Sequence, residues 1–167
     1  MPTTITGTDG VSQVQTGAVE SGDLPAGSVI QVVEESTYTR VETTGNAFID
    51  SGVSATITPS SSSSKIFILL SHHFSKDSAN TYAGLRLLRN NTDLGFVSDL
   101  IAFNNTTQVG TDFVASSFLD FPNTTSELTY KTQFNNQVSS GTVSIQSDAS
   151  GANERARGSI VLMEIAG

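Results

Sequence analysis

Lys65-Ile66-Phe67-Ile68-Leu69-Leu70-Ser71-His72-His73-Phe74 is the stretch on which the fold turns. Successive side chains of an extended strand point to opposite faces. Ile66, Ile68, Leu70, His72 and Phe74 therefore share one face, and Phe67, Leu69, Ser71 and His73 share the other. Both faces are apolar at the start. This predicts a central strand covered on each side, by a second sheet or by a neighbouring subunit.

The same alternation extends outward in both directions. Tyr82 to Arg89 places Ala83, Leu85 and Leu87 inward and Arg86 outward, and Asn90-Asn91 is a two-residue turn into Thr92 to Val97. Leu100 to Gly110 reads as a polar loop, and Asp112 to Asp120 as a strand closed by Phe121-Pro122-Asn123. Leu128, Tyr130, Thr132 and Phe134 form a period-two face, and Gly141 to Gln146 and Gly158 to Ile165 supply the last strands. Upstream, Ser28 to Glu34 and Tyr38 to Thr43 read as strands, and Ala47 to Ile57 as two short strands bent at Gly52. Pro59 with Ser60 to Ser64 reads as a solvated loop.

No window of ten residues has helical periodicity. About nine or ten short strands separated by turns predict an all-β fold, a two-sheet jelly-roll sandwich with an extended N-terminal arm. Composition agrees, because 45 of the 167 residues are Ser or Thr, which suit strands and turns better than helix interiors.

Charge and composition remove several functions. The net charge is -8, the pI is about 4.5, and Lys and Arg are nowhere clustered, so the phosphate-neutralising surface that nucleic acid requires is missing. With no Cys, disulfides, thiolate catalysis and Cys-ligated zinc are excluded. No apolar run reaches the roughly 20 residues of a membrane-spanning helix, and the N-terminus lacks the pattern of a signal peptide. Synthesis in a cytoplasm is expected.

Residues 1–27 differ from the rest. Ile5, Val11, Val14, Val19 and Leu24 are too sparse for a helix face and sufficient for an extended attachment arm held by a partner chain, with Leu24-Pro25-Ala26-Gly27 closing the segment. Residues 28–167 then form the sandwich domain.

Candidate chemistry is sparse, and a non-enzymatic protein without metal or cofactor is expected. His72 and His73 point to opposite faces of one strand and cannot converge on a metal by themselves. His72 is a candidate for an oligomer interface at which symmetry copies meet, together with Phe67, Leu69, Arg155 and Arg157. Arg155 and Arg157 are the densest positive spot, suited to acids of a neighbouring subunit or of the arm. Glu34-Glu35, Asp93 with Asp99, and Asp112 with Asp120 are the carboxylate pairs that a glycosidase would need, and nothing marks one pair out. Asn104, Asn105, Thr106 and Thr107 form a candidate glycan-facing loop, since amides and hydroxyls suit sugar hydrogen bonding.

Four segments resemble phage virion proteins. They are Gly27-Ser28-Val29-Ile30-Gln31-Val32-Val33, Ser54-Ala55-Thr56-Ile57-Thr58-Pro59-Ser60, Thr125-Ser126-Glu127-Leu128-Thr129-Tyr130-Lys131 and Gly158-Ser159-Ile160-Val161-Leu162-Met163-Glu164-Ile165. Together they are similar to C-terminal domains of tail-fibre and structural proteins, notably of phages of cyanobacteria and marine bacteria. The resemblance implies a tumour-necrosis-factor-like jelly roll, commonly a homotrimer, on a virion made in the host cytoplasm. With only residues 1–27 ahead of the domain, it favours a capsid decoration (cement) protein or short knob over a long fibre. The implied partners are its own copies, a major capsid or tail protein and, for a receptor-binding knob, a host-surface glycan.

Overall fold

The computed structural model describes residues 23–105, 110–138, 140–146 and 156–167. The strands are β1 (Val29–Thr37), β2 (Val41–Thr43), β3 (Ile49–Ile57), β4 (Lys65–Lys76), β5 (Ala83–Arg89), β6 (Thr92–Ile101), β7 (Gly110–Asp120), β8 (Leu128–Asn136), β9 (Val143–Ile145) and β10 (Gly158–Ile165). One sheet runs β1-β10-β4, with β7 on the free side of β4 and β9 and β2 continuing the sheet at its far end; the other runs β3-β8-β5-β6. All pairs are antiparallel. The pairs β1 with β10, β3 with β8, β4 with β7 and β5 with β6 nest inside one another along the chain. That nesting, wound over two sheets, is a jelly-roll sandwich.

β4 is central as its sequence predicts, paired with β10 and β9 on one side and β7 on the other. Its Ile66, Ile68, Leu70 and Phe74 pack between the sheets against β3, β8 and β5. The core has two apolar halves. Val53, Leu70 and Tyr130 belong to one; Phe74 and Phe134 belong to the other, with Ile49 packed against it. Between them β4, β8 and β3 each contribute one polar residue, His72, Thr132 and Ser51, all fully buried.

The structure departs from the sequence reading in several places. Ala47 to Ile57 is not two strands: one strand, Ile49–Ile57, absorbs the bend as a bulge between Asp50 and Ser54, where Gly52 takes φ 82°. A positive φ costs an L residue steric strain that glycine escapes, so the ladder bends without breaking. The Tyr38 to Thr43 strand shortens to Val41–Thr43, while β1 continues through Glu34-Glu35 to Thr37. β6 runs on to Ile101, which is buried with Ala102 in the core, so the polar loop begins later than Leu100.

Ser60, Ser62 and Ser63 of the Ser60 to Ser64 run are exposed as a solvated loop requires, but the run is anchored, with Ser64 buried and Ser60 bonded to β10. Glu164 is fully buried and accepts hydrogen bonds from the Ser60 backbone N–H and hydroxyl, both at 2.7 Å, and from the Gln31 amide at 2.6 Å. Burial pushes the Glu164 carboxyl up, and the bonds from Gln31 and Ser60 outweigh it, leaving the group below its ordinary value. The serine loop is thereby tied to β10.

Candidate functional site: the outer face of the β1-β10-β4-β7 sheet

Residues paired directly across antiparallel strands lie on the same face, so the registers define the solvent side of this sheet. Val32, Met163, Phe67 and Leu119 form one row, and Glu34, Val161, Leu69 and Ser117 the next. Ser36, Ser159, Ser71 and Ala115 follow, and then His73 beside Phe113. Large apolar side chains stand open here: Val32 is 56% exposed, Leu69 37%, Leu119 42% and Phe113 60%. Across these four rows the charge is Glu34 at the β1 edge, whose carboxylate accepts from the Arg157 guanidinium. Ser71 and Ser159 satisfy each other at 2.8 Å. The centre of the face presents mostly hydrocarbon, with the Ser71 and Ser159 hydroxyls spent on each other.

The outer face of the opposite sheet is built differently. Asp50 receives Lys131 at 3.0 Å and the Gln133 amide at 2.6 Å. Burial raises its carboxyl, and the Gln133 and Lys131 contacts bring it below the ordinary value. Arg86 donates to the Gln133 carbonyl and to Asp93 at 2.8 Å while lying 4.1 Å over the Phe48 ring. Its exposed aromatic, Phe96, meets Phe48 edge-on at 5.7 Å. That charged network is complete within one chain and faces water.

Of the residues singled out from sequence, Phe67 and Leu69 are brought together on the apolar outer face. His72 is not with them. It lies on the core side, fully buried, its Nε2 3.0 Å from the Thr132 hydroxyl, which is in turn 2.6 Å from that of Ser51. It therefore cannot line a subunit interface, because strand alternation sends it between the sheets. Burial lowers its pKa to about 4, so the ring is neutral. Arg157 is engaged within its own chain by Glu34 at the sheet edge.

Asn104 accepts from the buried Lys76 ammonium through both its backbone and side-chain oxygens, so its amide is not turned outward to a ligand, whereas Asn105 is exposed. Leu24 lines a pocket of about 120 Å³ with Ile30, Ser60, Ser61, Ser63, Ser64, Ala166 and Gly167. Ile5, Val11, Val14, Val19, Thr106, Thr107 and Arg155 lie outside the described residues.

One of the carboxylate pairs, Asp112 with Asp120, is pulled apart by the fold. Asp112 and Asp120 stand at opposite ends of β7, roughly 25 Å apart at the rise of an extended chain, beyond the span of a glycosidase pair. Asp120 is instead held by both oxygens on Arg89 and by the Tyr130 hydroxyl at 2.6 Å. Among the described residues no group of three or more His, Cys, Asp or Glu could hold a metal ion.

The sequence reading missed Val32, Phe113, Leu119, Val161 and Met163 as parts of the face. The signal was present in the alternating Phe113, Ala115, Ser117 and Leu119, but only the register of β7 on β4 makes it continuous with Phe67 and Leu69.

No family model matches the chain, and no curated protein matches it. Among solved structures, it is similar to the VP2 subviral particle of infectious bursal disease virus, with 10% identity and a TM-score of 0.42 over 84% of this chain and 38% of that one. The virus's Gx strain gives 13% identity and a TM-score of 0.43 over 84% and 39%. Dimeric latent PorU from Porphyromonas gingivalis gives 11% and 0.36 over 85% of this chain and 14% of that one. The chain thus spans about two fifths of the viral chains. The likeness to these viral proteins is distant.

Proposed function

We propose that this chain is a non-enzymatic bacteriophage virion structural protein. It acts as a homotrimeric surface module of capsid-decoration (cement) or short-fibre type, anchored by its N-terminal arm. The observation that supports this reading is the largely apolar outer face of the β1-β10-β4-β7 sheet, where across the four rows the charge is Glu34 at the edge with Arg157, set against an opposite face crossed by a charged network. Burying such a face between copies of the same chain removes hydrocarbon from water and strands few charges. The four virion-like segments fall on β1 and β10, which carry part of this face, and on β3 and β8 of the opposite sheet. The work of the protein is then binding across joints of a shell, with residues 1–27 laid on a neighbouring protein.

The test is to mix the full-length chain, a version lacking residues 1–22 and the Leu69→Glu variant with undecorated phage heads. Capture of the full chain, lost in the shortened one while it still folds, is expected. Equal capture of the shortened chain would remove the anchoring role.

A second reading is a tail-fibre knob that recognises a host-surface glycan. It draws on Tyr82 and Phe103, whose rings meet edge-on at 5.6 Å with Phe103 half exposed beside Asn105. Aromatic faces next to amides suit sugar rings. Binding to host envelopes that disappears in Phe103→Ala, with no capture by heads, would favour that reading.

A further inference from the structure

Lys76 ends β4 on the same side as Phe74, and the residue is only 1% exposed. Its amino group donates to the backbone oxygen of Ser78 at 2.8 Å, to that of Asn104 at 3.1 Å, and to the carboxamide oxygen of Asn104. Across the ladder from Lys76 stands Gly110. A Cβ there would lie 2.6 Å from Asn104 Nδ2 and 2.8 Å from Lys76 Cε, so the missing side chain is what lets amine and carboxamide meet. Asn104 is delivered by the end of β6 and the turn that follows, where Leu100 and Ala102 adopt φ of 56° and 60° and Asp112 accepts from the Ala102 N–H at 3.2 Å. Non-glycine residues rarely hold such φ values unless the surroundings enforce them.

We propose that Lys76 and Asn104 form an isopeptide cross-link. The neutral Lys76 Nζ attacks Cγ of Asn104 and a new Nζ–Cγ amide bond forms. One proton passes from Nζ to Nδ2, the Cγ–Nδ2 bond breaks, and ammonia leaves. No oxidant or reductant takes part, and the only atoms lost are those of NH₃. The Lys76 ammonium first releases one proton to solvent, a step that the nearby Asp77 charge opposes. Burial pulls the Lys76 amine below its ordinary value against that opposing charge, which favours the nucleophilic form. The bond would join the end of β4 to the β6–β7 turn across 28 residues, a covalent staple in a chain that has no cysteine for a disulfide. The inference stands independently of the oligomeric state.

Intact-mass measurement of the full-length chain after denaturation tests it. The expected mass is about 17 Da below that of the sequence, allowing for removal of Met1. Proteolysis should give one branched peptide carrying Lys76 and Asn104, with no tryptic cleavage after Lys76. The Lys76→Arg variant should return to full mass. A deficit that persists in this variant would mean cyclisation at Asn104-Asn105 and would overturn the proposal. So would the native chain at full mass with Lys76 and Asn104 recovered in separate unmodified peptides, a result that requires no variant to fold.

Discussion

His72 sets a pH dependence that can be worked out from its surroundings. The ring is neutral in the fold, with its pKa lowered from 6.5 to about 4 by burial, while in the unfolded chain it protonates below 6.5. Between those values the unfolded state binds the extra proton, so stability falls as pH falls, by about 1.4 kcal/mol per pH unit and about 3 kcal/mol in all. Urea unfolding at steps from pH 7 to pH 4 should show this slope, and His72→Gln should flatten it above pH 5; an unchanged slope would place its origin elsewhere. Glu164 acts in a lower window. Its folded carboxyl lies below the ordinary 4.5, so its contribution is present above that pH and is lost as pH falls through the folded value. Asp120 also accepts from Arg89 and Tyr130; burial raises the Tyr130 phenol first, the Asp120 carboxylate raises it further, and Arg89 opposes both. Asp120→Ala leaves that hydroxyl and guanidinium without their acceptor and should cost about 2 to 4 kcal/mol in urea unfolding.

At the scale of elements, Gly52 and Ile68 make separable predictions. A Cβ at Gly52 would meet Thr37 and Val41 methyls at 3.9 Å, which is ordinary contact, so Gly52→Ala should cost about 1 to 2 kcal/mol through its φ of 82° alone. Ile68→Ala opens a cavity in a fully buried site and should cost about 2 to 5 kcal/mol. Strand identity was legible wherever period two was strong: β4, β5, β8 and β10 carry one apolar face in register with their core positions. The turn at Asn90-Asn91 was legible too, with Asn90 at φ 53° joining β5 to β6. What alternation could not disclose was the bulge, because Gly52 looks the same as a break and as a bend until its neighbours pair with β8. Nor could it show that Ser60 serves Glu164, a partner 104 residues away.

For the whole molecule, the two-sheet jelly-roll class was legible in strand number and spacing, but not which strands pair, and the contact face was only half legible. Phe67 and Leu69 were visible because both faces of β4 are apolar; Val32, Leu119 and Phe113 join them only through the registers of β1 and β7. From sequence alone His72 is only a candidate for the interface, where symmetry copies could meet. Its parity with Leu70 and Phe74 is the fact that decides for the core. Ile68 and Leu69 are consecutive yet belong to opposite faces, which sets the two variants against each other. Light scattering coupled to size exclusion on the native chain, Ile68→Ala and Leu69→Glu measures the central claim directly. The native chain and Ile68→Ala should run at three times the 17.5 kDa chain mass, and Leu69→Glu as a folded species of lower mass. A native chain at 17.5 kDa, or a Leu69→Glu variant that keeps the native mass, would contradict assembly through this face.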